Sequence, residues 1–218
     1  MSAETIQTIV DDLGALLLLT TIVIIAAGQI SSAVYAVAVQ SFLIAVAGGV
    51  LAAATGNVDL WVIAGLTLSV KAIALPWMLQ WAIRNMNVRR EVEPVIHDAA
   101  TFALALLIVV MAFHLSSLLG HGHTAIAGNA LPVGIALTLL GVLVMATRKT
   151  ALTQMVGLFA SENGIFFTAI AVTRGMPLII EIGAILDVIL AALVMTIMLL
   201  RVRSTVDADI ADLGRLRG

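Results

Sequence analysis

An all-α integral membrane protein of about seven transmembrane helices is the fold class this sequence predicts. Three observations carry the prediction. Of 218 residues, 61% are hydrophobic and 11% charged, against about 45–50% and about 25% in a soluble domain. The apolar residues fall into runs of roughly 20, long enough to cross a bilayer as helices. Lys and Arg are concentrated in alternate gaps between those runs.

The first span is read at 9–28. Met1–Val10 holds no Lys or Arg, so the basic region of a signal peptide is missing and the run is expected to stay as a helix. Gly28-Gln29 closes it, and the second span follows at 31–54. Thr55-Gly56-Asn57 is a turn, and the third span runs over 59–83. Pro76 is expected to kink that span and free carbonyls near Lys71. Trp61 and Trp81 fit the interfacial belts at its two ends. The polar stretch Arg84–His97 leads to the fourth span, 98–118. A Gly/His loop precedes the fifth, 130–147, and Arg148-Lys149 separates it from the sixth, 151–173. Pro177 suits the first turn of the seventh, 177–200, where its missing N–H costs nothing. The polar tail 201–218 is expected along the cytoplasmic surface. The chain divides into a four-helix segment (1–118), a three-helix segment (119–200) and the tail (201–218).

Orientation follows from the basic residues. With the N-terminus outside and the C-terminus cytoplasmic, nine of the eleven face the cytoplasm, one (Arg174) faces out, and Lys71 lies within a span. That is a strong positive-inside signal, and an even number of spans would spoil it.

Three ionisable residues stand where hydrocarbon should be: Lys71, Glu162 and Asp187, each about half-way along its span. A charge there costs roughly 2.5–3.5 kcal/mol on insertion scales, so all three are expected to face protein or internal water. Desolvation in general raises the pKa of a carboxylic acid and lowers that of an ammonium, which brings such groups toward proton exchange. Two readings stay open: a lateral proton relay, or an ion pair that only locks packing. Glu181 lies six residues before Asp187, about 240° round the helix. It is either an exit group for the relay or simply solvated.

Gln40 and Asn163 are expected to hydrogen-bond neighbouring helices. His114 reads as a packing residue. His121 and His123 fall short of a zinc site, which takes four donors. Asp11 and Asp12 are placed at the external mouth of the first span. Gly48-Gly49, Ala52–Ala54, Gly164 and Ala191-Ala192 offer small surfaces for close helix contact. With no cysteine, disulfides, thiolate metal sites and cysteine nucleophiles are excluded. No catalytic residue, metal ligand or bound cofactor is expected, and no nucleic acid; the lipid bilayer is the first partner.

The run from Thr153 to Gly218 resembles the K subunit of bacterial respiratory complex I and the C subunit of Mrp-type cation antiporters. The features are Gly157-Leu158, an acid in the sixth span, Asp187 in the seventh, and the closing Arg-Leu-Arg-Gly. Four helices stand in front of this unit. The whole is similar to the hydrogenase-4 component E family through Lys71 to Pro76, Ser161-Glu162-Asn163-Gly164, and Glu181-Ile182-Gly183 to Asp187. One departure is plain. The complex I acid directly follows Gly-Leu, whereas Phe159 holds that position here and Glu162 comes three residues later.

The resemblance implies a membrane subunit of a complex I-like group 4 hydrogenase, in the bacterial inner membrane. It would be a non-catalytic part of an oxidoreductase with no cofactor of its own. Its partners would be antiporter-like subunits and a hydrogenase module. Proton transfer would run through Glu162, Asp187, Lys71 and Glu181. The alternatives are a non-conducting scaffold between those modules, a Mrp-type antiporter subunit and, least favoured, a free-standing transporter.

Overall fold

The computed structural model describes residues 2–85, 95–118 and 129–173. They are helical apart from short connections, with no strand among them. The helices are α1 (Ala3–Ala26), α2 (Ile30–Thr55), α3 (Val58–Leu66), α4 (Leu75–Asn85), α5 (Asp98–Leu118), α6 (Ala130–Thr147) and α7 (Ala151–Thr173). A π-helical segment, Thr67–Ala74, joins α3 to α4 in one rod. Five of these units are long and apolar enough to cross a membrane: α1, α2, the rod, α5 and α6. The 23-residue α7 packs among them. The protein is an all-α membrane protein. The seventh span, with Glu181 and Asp187, and the tail lie outside the described residues, as do His121 and His123.

Local chemistry sets the helix ends. Ser2 Oγ accepts from the Thr5 N–H and starts α1 six residues before the expected boundary. Gly56 closes α2 at φ 68°, a left-handed conformation that glycine takes without strain. Asn57 Oδ1 then accepts from the Asp59 N–H at 2.9 Å and opens α3. Asp11 lies within α1 rather than at its mouth, and its Oδ1 accepts from the Asn129 N–H at 2.8 Å.

α6 and α7 make the closest helix pair. Gly134 and Gly141 on α6 face Gly157 and Gly164 on α7, each pair seven residues apart. A methyl group on Gly157 would lie 2.7 Å from the Met145 nitrogen and 2.8 Å from the Gly141 oxygen. The backbones therefore touch, as small residues allow in lipid. A methyl group on Gly48 or Gly49 would meet only ordinary van der Waals contacts, with Ala64 at 3.5 Å and Trp61 at 3.7 Å.

The apolar core is split into two clusters. One holds Ile24, Val34, Leu75, Leu140 and Phe159. The other holds Leu17, Ile44, Leu60, Leu137 and Phe167. Both draw on helices before and after the 119–128 stretch. On α1, α2, the rod and α7 the residues between the two clusters include buried polar ones: Thr21, Gln40, Ser41, Thr67, Lys71, Glu162 and Asn163.

Candidate functional site

Those residues form a polar layer half-way through the bundle. Lys71 comes from the π segment. There the Leu75 N–H bonds back to the Val70 carbonyl, five residues earlier, so the turn is wider than an α turn. Pro76 follows directly. Its ring would clash with the carbonyl four residues back in an α-helix, and the wider turn relieves this. The expected kink is thus an eight-residue π segment with Lys71 at its centre.

The Lys71 side chain is 3% exposed, and its Nζ lies 3.2 Å from Glu162 Oε2 on α7. Phe166, one turn beyond Glu162, places its ring centroid 5.7 Å from the same Nζ, within cation–π range. The ammonium is therefore held by a carboxylate and an aromatic face from one helix. A cavity of about 10 Å³ adjoins it, lined by Lys71, Ser41 and Pro76 among apolar side chains. That is about the room one water molecule needs.

On the neighbouring face of α7, Asn163 is fully buried. Its Nδ2 donates to Gln40 Oε1 at 3.0 Å and to Ser41 Oγ at 3.1 Å, both on α2. Gln40 Nε2 donates to Thr21 Oγ1 at 2.8 Å, and Thr21 donates to the Leu17 carbonyl at 2.9 Å. The donors in this chain all point from α7 toward α1. It ends on a backbone carbonyl and ties α7, α2 and α1 together.

The structure thus brings together Lys71 and Glu162 of the four residues expected to move protons. Gln40 and Asn163 hydrogen-bond between helices as expected. His114 does not pack: it is exposed on the outer face of α5. Among the described residues no group of three or more His, Asp or Glu side chains is placed to hold a metal.

An uncharacterized protein of Mycobacterium tuberculosis, Rv0085, is 34% identical over 152 residues, which is 69% of this chain and 69% of that protein. The chain belongs to the Rv0085 family. It is also similar to Hydrogenase-4 component E of Escherichia coli and of Shigella flexneri, 25% identical over 213 residues. That match covers 96% of this chain and 98% of theirs. No family model and no solved structure matches.

This member of the Rv0085 family also has a polar centre that sequence reasoning missed. Arg148 counted only as a loop charge, yet it is 5% exposed. Its Nη2 donates to the Ile25 carbonyl at the end of α1 at 2.5 Å. Its own carbonyl accepts from Gln154 Nε2 at 3.0 Å. Burial lowers the Arg148 pKa from its ordinary value, and the negative charge of Asp98 works against that. Ser41, Thr21 and Phe166 were missed too. Ser41 beside Gln40 was the one legible hint, since a second polar residue in that apolar run also needs a partner.

Proposed function

We propose that this chain is a membrane subunit of a complex I-like group 4 hydrogenase, and that its Lys71–Glu162 pair takes part in proton translocation. The observation that carries the reading is the pair itself: an ammonium and a carboxylate 3.2 Å apart, nearly sealed from solvent, at the middle of two spans. Intramembrane ionisable residues mark ion pathways and proton relays by default. The full-length similarity to Hydrogenase-4 component E supports the hydrogenase setting. In this reading the partners are antiporter-like subunits and a hydrogenase module. The membrane is the bacterial inner membrane, with the N-terminus outside. The chain itself performs no catalysis.

In this reading Glu162 takes a proton when Lys71 moves away, and the return of the ammonium to its 3.2 Å contact drives that proton on to the next carboxylate. Asp187 and Glu181, in the seventh span, are the proposed continuation toward a neighbouring subunit. The test is Glu162→Gln and Asp187→Asn, each in a complex shown to be assembled, with redox-driven acidification measured in inverted vesicles. Loss of pumping with electron transfer retained is expected. Pumping at the original rate in both variants overturns the relay.

A second reading has its own observation. The Asn163–Gln40–Thr21 chain and the ion pair together tie α7 to α2, α1 and the rod, as a scaffold requires. In that case Lys71→Met combined with Glu162→Gln, which removes both partners of the pair, leaves turnover and pumping nearly intact, whereas deletion of the chain abolishes assembly. A Mrp-type antiporter role would show as sodium-dependent transport that persists without the hydrogenase module.

A further inference from the structure

Along the outside of the bundle, α2 and the second half of the rod enclose a groove of about 390 Å³. That is within the range of ligand pockets. Tyr35 and Ala38 line it from α2, and Ile73, Trp77, Trp81 and Arg84 from the rod. The aromatic side chains stand outward: Trp77 is 70% exposed, Tyr35 55% and Trp81 46%. Ala38 and Ala72 keep the floor low between them. Gln80 turns inward, its Nε2 donating to the Ser31 carbonyl at 3.1 Å, so the two walls are tied together.

Arg84 is exposed at the end of the groove, one turn beyond Gln80. Among the described residues no carboxylate pairs with it. The groove is therefore apolar along its length and cationic at one end, where Arg84 stands three residues beyond Trp81, the last residue of the membrane-length apolar stretch Val58–Trp81. A transmembrane helix from a partner would ask for small residues at the contact, and Trp77 and Trp81 are the opposite. An aromatic ring at the end of a span with a basic side chain three residues on, Trp81 and Arg84, suits a lipid headgroup.

We propose that this groove binds an anionic phospholipid of the leaflet on the Arg84 side. Its phosphate oxygens sit on the Arg84 guanidinium, whose planar fork matches them in pairs. One acyl chain lies against Trp77, Ile73 and Ala38. Pro76 is a wall common to this groove and to the cavity beside Lys71. A chain in the groove thus covers the bilayer side of the wall that closes the polar layer. The site stands independently of any proton relay.

The chain has three tryptophans, which makes the test direct. Trp61→Phe leaves Trp77 and Trp81, both in the groove, as the fluorophores. The full chain is reconstituted in phosphatidylcholine vesicles with a minor fraction of brominated phosphatidylglycerol or, separately, brominated phosphatidylcholine. The anionic quencher is expected to be enriched about fivefold at the tryptophans over the zwitterionic one. That preference disappears in Arg84→Gln and survives in Arg84→Lys. Should Arg84→Gln fail to insert, raising the salt in the Trp61→Phe chain is expected to weaken the preference. Equal quenching by the two lipids, or a preference unchanged in both Arg84→Gln and high salt, overturns the proposal. So does the absence of quenching by either lipid, which would mean that a protein surface covers the groove.

Discussion

Lys71 and Glu162 sit so close together, and so far from water, that removing one is a different experiment from removing both. Breaking a buried pair by deleting one partner costs about 3–5 kcal/mol, while replacing both by neutral groups of similar volume is often nearly neutral. Lys71→Met alone is therefore expected to destabilise the chain strongly, and Lys71→Met with Glu162→Gln to recover much of the loss. Thermal unfolding of the full chain in detergent measures both; additive losses would show that the two side chains do not act on each other. The ionisable residues were legible because hydrocarbon makes any charge conspicuous. An ion pair for Lys71 was an open reading, but whether its partner was Glu162 or Asp187 was not legible, since depth along a helix is readable from sequence and rotation about its axis is not. Gln40 and Asn163 were legible for the same reason. Thr21 was not: a threonine in a helix satisfies itself on a carbonyl of the preceding turn, as Thr21 does on Leu17, and nothing marks it as also accepting from Gln40. Gln40→Leu leaves Asn163 with Ser41 alone and is expected to cost about 1–3 kcal/mol. Arg148→Ala removes a charged donor from the Ile25 carbonyl and should cost about 1.5–3 kcal/mol, read by the same unfolding measurement.

Between helices, the decisive feature is what is missing from a side chain. Gly134, Gly141, Gly157 and Gly164 were spread through runs that read simply as apolar, and only Gly164 was picked out as a contact residue. Two heptad-spaced glycines on each of two adjacent spans are a signal in hindsight, but which pairs meet depends on the crossing, and sequence does not fix that. Gly157→Ala would push a methyl group into the backbone of α6, where neither the Met145 nitrogen nor the Gly141 oxygen can yield. Overpacking of this kind costs about 1–3 kcal/mol. Gly65→Ala is the control: nothing lies within 4 Å of the added methyl, and alanine in a helix interior gains about 0.5–1 kcal/mol over glycine. A loss at Gly157 with a gain at Gly65 is the expected pair of results; equal shifts would mean that helix propensity alone decides. The third span shows the limit from the other side. Pro76 signalled a disturbance near Lys71, but a kink and a π turn both accommodate the same missing N–H.

At the level of the whole molecule, the charge bias and the contacts divide the bundle ends in the same way. Arg84, Arg148 and the α1–α2 connection gather at one end, where Arg148 reaches Ile25. Gly56 and the Asp11–Asn129 bond belong to the other. Contacts alone say which termini are neighbours and leave the sign of the orientation free. The basic residues supply the sign, because Lys and Arg are retained on the cytoplasmic side during insertion. A chain with no native cysteine lets single-cysteine reporters decide it. Val58, 70% exposed at the start of α3, and Lys149, exposed between α6 and α7, lie at opposite ends. With the N-terminus outside, Val58→Cys is labelled by a membrane-impermeant maleimide in spheroplasts, and Lys149→Cys only after permeabilisation. The reverse pattern would turn the molecule over and place Arg84 in the outer leaflet, so the lipid-groove experiment would have to supply its anionic lipid there. Labelling of both from one side would break the antiparallel order of the third and sixth spans, and with it the packing that brings Lys71 to Glu162.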